Sequence, residues 1–144
     1  MGEKKILKID FSRRRLRERA EKFYDEGNYL SALRFTYKEM SLYGGDGEIY
    51  ALLSDIYENM ELYSSAVNCW FRFMDNCSGE DLPDIYEGLA VNYLNMGKEA
   101  QSAFYYNKLI DADDGLTEEN KAEIAEAFSG NKRSNFRFVY PPRF

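Results

Sequence analysis

The stretch AEKFYDEGNYLSAL, residues 20–33, returns 34 residues later as SDIYENMELYSSAV, residues 54–67. It returns again as AVNYLNMGKEAQSA, residues 90–103, after a two-residue insertion. Ala20 thus falls on Ser54 and Ala90, Phe23 on Tyr57 and Tyr93, Gly27 on Glu61 and Gly97, and Ala32 on Ala66. In the first copy Leu16, Ala20, Phe23 and Tyr24 stand at i, i+4, i+7 and i+8, the spacing of one helix face. Asp25-Glu-Gly-Asn28 interrupts that face, and a second helical run follows from Tyr29. Two helices joined by a polar turn, recurring at a fixed period, predict an all-α fold: a solenoid of helical hairpins.

Working outward, the hairpin helices are expected over 16–24 and 29–42, 48–59 and 63–76, and 84–94 and 100–112. Gly44, Gly45 and Gly47 mark the end of the first unit. Pro83 suits the first turn of a helix, where its missing N–H has no partner to lose. Thr117 is placed to cap a seventh helix, 118–128, with Glu118 and Glu119 in its first turn. The polar outer face of that helix suits the end of an array.

The expected organisation is a basic arm over 1–12, repeats over 13–46, 47–80 and 83–116, a capping helix over 117–129, and a tail over 130–144. Leu7, Ile9 and Phe11 alternate, which predicts an extended arm or short strand before an N-cap at Ser12. Phe136, Phe138 and Tyr140 alternate likewise before Pro141-Pro142, so the tail is expected to be extended. The ending at Phe144 fits either a complete chain or the N-terminal part of a longer one.

The net charge of −6 conceals a segregation. Residues 1–22 hold nine basic side chains against four acidic ones, a net +5, and residues 130–144 hold four basic ones and no acid. Residues 23–129 carry six basic against 21 acidic side chains, a net −15. An acidic body favours a basic partner, and basic ends favour an acidic one.

Cys69 and Cys77 are eight apart on one expected helix, about 12 Å at ~1.5 Å per residue. They cannot bridge each other there. Two unpaired thiols suit a reducing compartment, and a cytoplasmic location is expected. There is no apolar N-terminal leader and no apolar run long enough to span a membrane.

Catalysis finds little support in the residues. The chain has no His, the commonest general base and metal ligand. Gly44-Gly45-Asp46-Gly47 lacks the Lys-Ser/Thr of a phosphate loop. No enzyme activity, cofactor or metal is expected. Arg13, Arg14, Arg15, Arg17 and Arg19 invite a nucleic-acid reading, but they spread around the helix beside a strongly acidic body.

The repeats resemble the tetratricopeptide repeat, a 34-residue helix–turn–helix unit. The resemblance rests on Leu16, Ala20, Phe23, Gly27, Tyr29 and Ala32, on Tyr50, Leu53, Ser54, Tyr57, Tyr63, Ala66 and Trp70, and on Tyr86, Leu89, Ala90, Tyr93, Gly97 and Tyr106. Glu61 stands where the turn glycine is usual, Ser102 replaces an Ala, and Arg19 replaces a Leu.

Such a resemblance implies an interaction module whose first helices line a concave groove for a peptide or partner helix. It implies a core at Leu16, Ala20, Phe23, Tyr50, Ser54, Tyr57, Tyr86, Ala90 and Tyr93, with Trp70 packed inside. One residue further along lies the groove-side face: Arg17, Glu21 and Tyr24, then Ala51, Asp55 and Glu58, then Glu87, Val91 and Leu94. Asp25, Glu48 and Asp84 border it. Family members that bind chaperones hold a peptide carboxylate with Lys, Asn and Arg. Here Asp55, Glu58, Asp84 and Glu87 would repel one, so a basic or amphipathic protein segment is the expected partner. The alternative is self-assembly, with a basic aromatic tail of one copy in the groove of another.

Overall fold

A computed structural model of the chain describes residues 2–112, 115 and 117–129. Among the described residues seven α-helices follow one another: α1 Gly2–Asp25, α2 Tyr29–Tyr43, α3 Gly47–Asn59, α4 Tyr63–Asp75, α5 Leu82–Asn95, α6 Glu99–Ala112 and α7 Glu118–Ser129. No strand occurs among the described residues. Each helix packs on its neighbours in the chain, most closely within the pairs α1/α2, α3/α4 and α5/α6.

The three turns inside those pairs are the same turn. Asn28 N–H donates to Phe23 O at 2.8 Å, Leu62 N–H to Tyr57 O at 2.9 Å, and Lys98 N–H to Tyr93 O at 2.9 Å. This backward bond satisfies carbonyls that a helix end leaves open, and it requires a left-handed residue just inside it. Gly27 (φ +77°), Glu61 (φ +61°) and Gly97 (φ +76°) fill that place. Only Gly adopts the region freely. Glu61 adopts it because the same hydrogen bonds enclose it.

Small residues let each pair close. Ala20, Ser54 and Ala90 on the first helices, and Ala32, Ala66 and Ser102 on the second, are all fully buried. Ser102 Oγ donates to Ala90 O at 2.7 Å, so its hydroxyl is satisfied inside the helix crossing. The larger expected core residues Leu16, Phe23, Tyr50, Tyr57, Tyr86 and Tyr93 are half-buried around these contacts, and Trp70 is buried as expected.

Apolar seams join one pair to the next. Ile49 and Leu53 of α3 pack with Leu33 and Met40 of α2. Ile85 and Leu89 of α5 pack with Val67, Trp70 and Phe73 of α4. Tyr105 of α6 gathers the rings of Phe71, Tyr86, Tyr93 and Phe104 within 5.1–6.3 Å. In the middle of α5, Gly88 is pressed under the indole of Trp70, where an added Cβ would meet Cε2 at 2.2 Å.

One element departs from expectation. Residues 2–12 continue α1 and form no extended arm, so Ser12 lies within a helix and caps nothing. Leu7 and Phe11 stand four apart and satisfy the helical period as well as the alternating one. Glu3, Lys4, Lys5 and Leu7 are strong helix formers, and no Gly or Pro separates them from Leu16. The seventh helix begins as expected, with Asn120 N–H donating to Thr117 Oγ1 at 3.1 Å. The tail 130–144 lies outside the described residues.

Candidate functional site

The arginines of α1 divide between two faces. Arg13 and Arg17 reach carboxylates of α2 and the start of α3; Arg15 and Arg19 are exposed on another face, which also borders α2. Arg17 donates to Glu39 Oε1 at 2.7 Å and Oε2 at 2.6 Å, and to Glu48 Oε2 at 2.5 Å. Arg13 donates to Glu39 Oε2 at 3.1 Å and Asp46 Oδ2 at 2.5 Å. Glu39 is only 1% exposed, so this carboxylate is buried and held by two guanidinium groups. Its hydrogen bond is the main reason that the Arg17 guanidinium stays protonated well above its ordinary range, against the opposing effect of burial.

Asp46 also caps α3, accepting from Ile49 N–H at 2.9 Å. The network therefore fastens three helices at one point. A concavity of about 490 Å³ opens beside it, lined by Arg13, Arg14, Arg17, Glu18, Glu21, Asp46 and Glu48.

Toward the other end of the first helices, polar bridges connect α1 to α3 and α3 to α5. Asn59 Nδ2 donates to Tyr24 Oη at 3.0 Å, and Asn92 Nδ2 donates to Glu58 Oε1 at 3.0 Å. The same amide groups donate to their own helices, at Asp55 O and Gly88 O. Tyr24 and Glu58 are thus brought beside the next first helix in turn.

The sequence-derived site residues fall into three groups. Arg17, Glu21 and Glu48 line the concavity together, but Arg17 is occupied by carboxylates of its own chain and is no open cation. Tyr24, Asp55 and Glu58 are half-buried along the bridges between first helices. Asp25 closes α1, whereas Asp84 lies in the first turn of α5, so these two occupy opposite ends of their helices.

Glu87 corrects an expectation. It is only 7% exposed, and Val91 and Leu94 beside it are buried too. Val91 packs with Tyr106 and Leu109, so α5 presents a wider arc to α6 than α1 presents to α2. The face one step beyond the core is exposed at Glu21, half-buried at Asp55 and buried at Val91.

Sequence reasoning missed Glu39 and Asp46 as partners of the arginines. It also missed a smaller concavity of about 190 Å³, bordered by Tyr37, Tyr57, Cys69 and Arg72. There the Tyr37 and Tyr57 hydroxyls meet at 2.5 Å. Burial, more than that hydrogen bond, pushes the Tyr37 phenol upward, and burial pushes the Cys69 thiol up to about 11. Such a thiol is a poor nucleophile at neutral pH.

Among the described residues no cluster of His, Cys, Asp and Glu could hold a metal ion, and no helix is long and apolar enough to cross a membrane. No protein-family model matches the chain, and no curated protein or solved structure is significantly similar to it.

Proposed function

We propose that this chain is a protein-interaction module, a right-handed solenoid of three tetratricopeptide-like hairpins capped by α7. Its first helices line a groove that takes a basic or amphipathic segment of a partner protein. The observation that carries this reading is the pair of bridges Tyr24–Asn59 and Glu58–Asn92. They run between successive first helices and leave Glu21, Asp55 and Glu58 along the same side. A carboxylate-rich strip flanked by the Tyr24 ring suits Lys or Arg side chains, whose stems lie on apolar surface while their heads meet carboxylates.

Glu87 contributes from below the surface, where its burial limits it to shaping the floor. Arg17 acts by holding α1, α2 and α3 together, so the groove contains no available arginine at that position for a peptide carboxylate. The module has no catalytic role in this reading and resides in the cytoplasm.

Fluorescence anisotropy with labelled helical peptides tests it. A Lys/Arg-rich amphipathic peptide should bind, and Asp55→Lys with Glu58→Lys should weaken it at least about tenfold, equivalent to ~1.4 kcal/mol. Circular dichroism controls for folding. Tighter binding of a Glu-rich peptide by the unaltered chain would refute the proposal.

A further inference from the structure

A second surface has no part in that groove. Ile49 and Leu53 of α3, and Ile85 and Leu89 of α5, are buried against the second helix of the preceding pair. The positions 34 residues before Ile49 and Leu53 are Arg15 and Arg19, which are exposed on α1. Cys69 and Tyr105 take part in the same seams from α4 and α6. Their counterpart on α2 is Phe35, which lies under the Arg19 guanidinium at 5.7 Å and stacks on Phe23 at 5.5 Å. The first hairpin therefore presents the shape that the other two use to receive a helix. The hollow there, about 230 Å³, is bordered by α1 and α2 alone, through Arg15, Leu16, Arg19, Lys38 and Leu42.

The charge on this face identifies its occupant. Arg15, Arg19 and Lys22 stand at i, i+4 and i+7, all exposed. On α7, at the other end of the chain, Glu119, Glu123 and Glu126 stand at the same spacing, also exposed, with Ala122 between them. One stripe is basic over apolar ground and the other is acidic beside a small side chain. Two helices carrying these stripes pair charge for charge along two turns.

We propose that α7 of a second copy of this chain docks on the α1 face formed by Arg15, Arg19 and Lys22, giving a head-to-tail assembly. Such an interface is heterologous, so each copy keeps one face open unless a ring closes. It is independent of the groove, since none of these residues belongs to it.

Sedimentation velocity of the full chain, across a concentration series at low and high salt, provides the test. The sedimentation coefficient should rise with concentration and the rise should diminish with salt. Arg15→Glu with Arg19→Glu should abolish it, as should Glu119→Lys with Glu123→Lys, because each variant opposes like charges. Mixing the two variants in equal amounts should restore association, since each then meets a complementary face. All four side chains are exposed, so the substitutions should leave the fold intact. A chain that is monomeric at every concentration overturns the proposal. So does undiminished association of the arginine variant, which would place self-contact elsewhere, or a mixture that stays monomeric.

Discussion

Arg17 of α1 and Glu39 of α2 meet through two hydrogen bonds, at 2.7 and 2.6 Å, in a position that the other hairpins fill with apolar side chains on the second helix. The residues 34 further on are Ala51 and Phe73, and Leu109 stands in the third hairpin, fully buried. An ionic contact thus stands where the second hairpin packs Ala51 against the cluster of Phe73. Removing one partner strands a buried charge, so Arg17→Ala should cost about 3 kcal/mol, the lower end of the usual range because Arg13 still reaches Glu39. Adding Glu39→Leu, the residue type of the third hairpin, should recover most of the loss. Urea denaturation of both variants measures this. A single-variant cost no larger than that of an exposed pair, about 1 kcal/mol or less, would contradict the assignment.

Gly88 is held against Trp70. A Cβ there would stand 2.2 Å from Cε2 and 2.4 Å from Nε1 of an indole that is itself buried. Gly88→Ala should lower stability by about 3 kcal/mol, at the upper end for overpacking, although Ala is the better helix former. In a Trp70→Phe background the same change should be milder, with a coupling of at least ~1 kcal/mol. A denaturant-based double-mutant cycle reads the coupling directly.

Glu61 holds a left-handed backbone conformation that its counterparts Gly27 and Gly97 adopt as glycines. A non-glycine residue there costs roughly 1–2 kcal/mol. Glu61→Gly should therefore stabilise the chain by about 1 kcal/mol after the entropy gained by the unfolded glycine is deducted. At Gly27 and Gly97 an added Cβ meets nothing within 4 Å, so Gly→Ala there should lose stability through the backbone alone. Thermal melts of the three variants give the signs.

The buried Cys69 thiol predicts an alkaline weakness. Burial raises it from its ordinary 9.0 to about 11, with Arg72 and a Ser54 hydrogen bond opposing in part. A raised acid favours the protonated folded state. Its contribution is complete below pH 9 and disappears as pH climbs through about 11. Tyr37 and Tyr105, both shifted upward chiefly by burial, act in the same direction. The melting temperature should fall across this interval, and Cys69→Ala should fall less steeply. Equal slopes for the two proteins would remove Cys69 as a cause.

The hairpin helices were legible in the sequence because their signals are local. Gly27 and Gly97 mark turns, Ala20 and Ala32 mark close crossings, and apart from the start of α1 the observed helix ends lie within two residues of expectation. The first half of α1 was not legible, because Leu7 and Phe11 satisfy two periods at once and no breaker decides between them. At the site, Arg17 and Glu48 stood out, but Glu39 did not. A charged residue on the core face of a helix looks like a disruption of the pattern until its partner, 22 residues away, is seen. The burial of Glu87 was hidden for a related reason. How far a helix face is covered depends on the breadth of its neighbour, and no spacing within α5 records that.

The recurrence of one turn at Phe23–Asn28, Tyr57–Leu62 and Tyr93–Lys98 makes the molecule its own replicate experiment. Any substitution introduced at one turn has two structurally matched controls in the same polypeptide, under identical solvent and chain length. Differences among the three outcomes then report what surrounds each hairpin, with the intrinsic preference of the backbone cancelled.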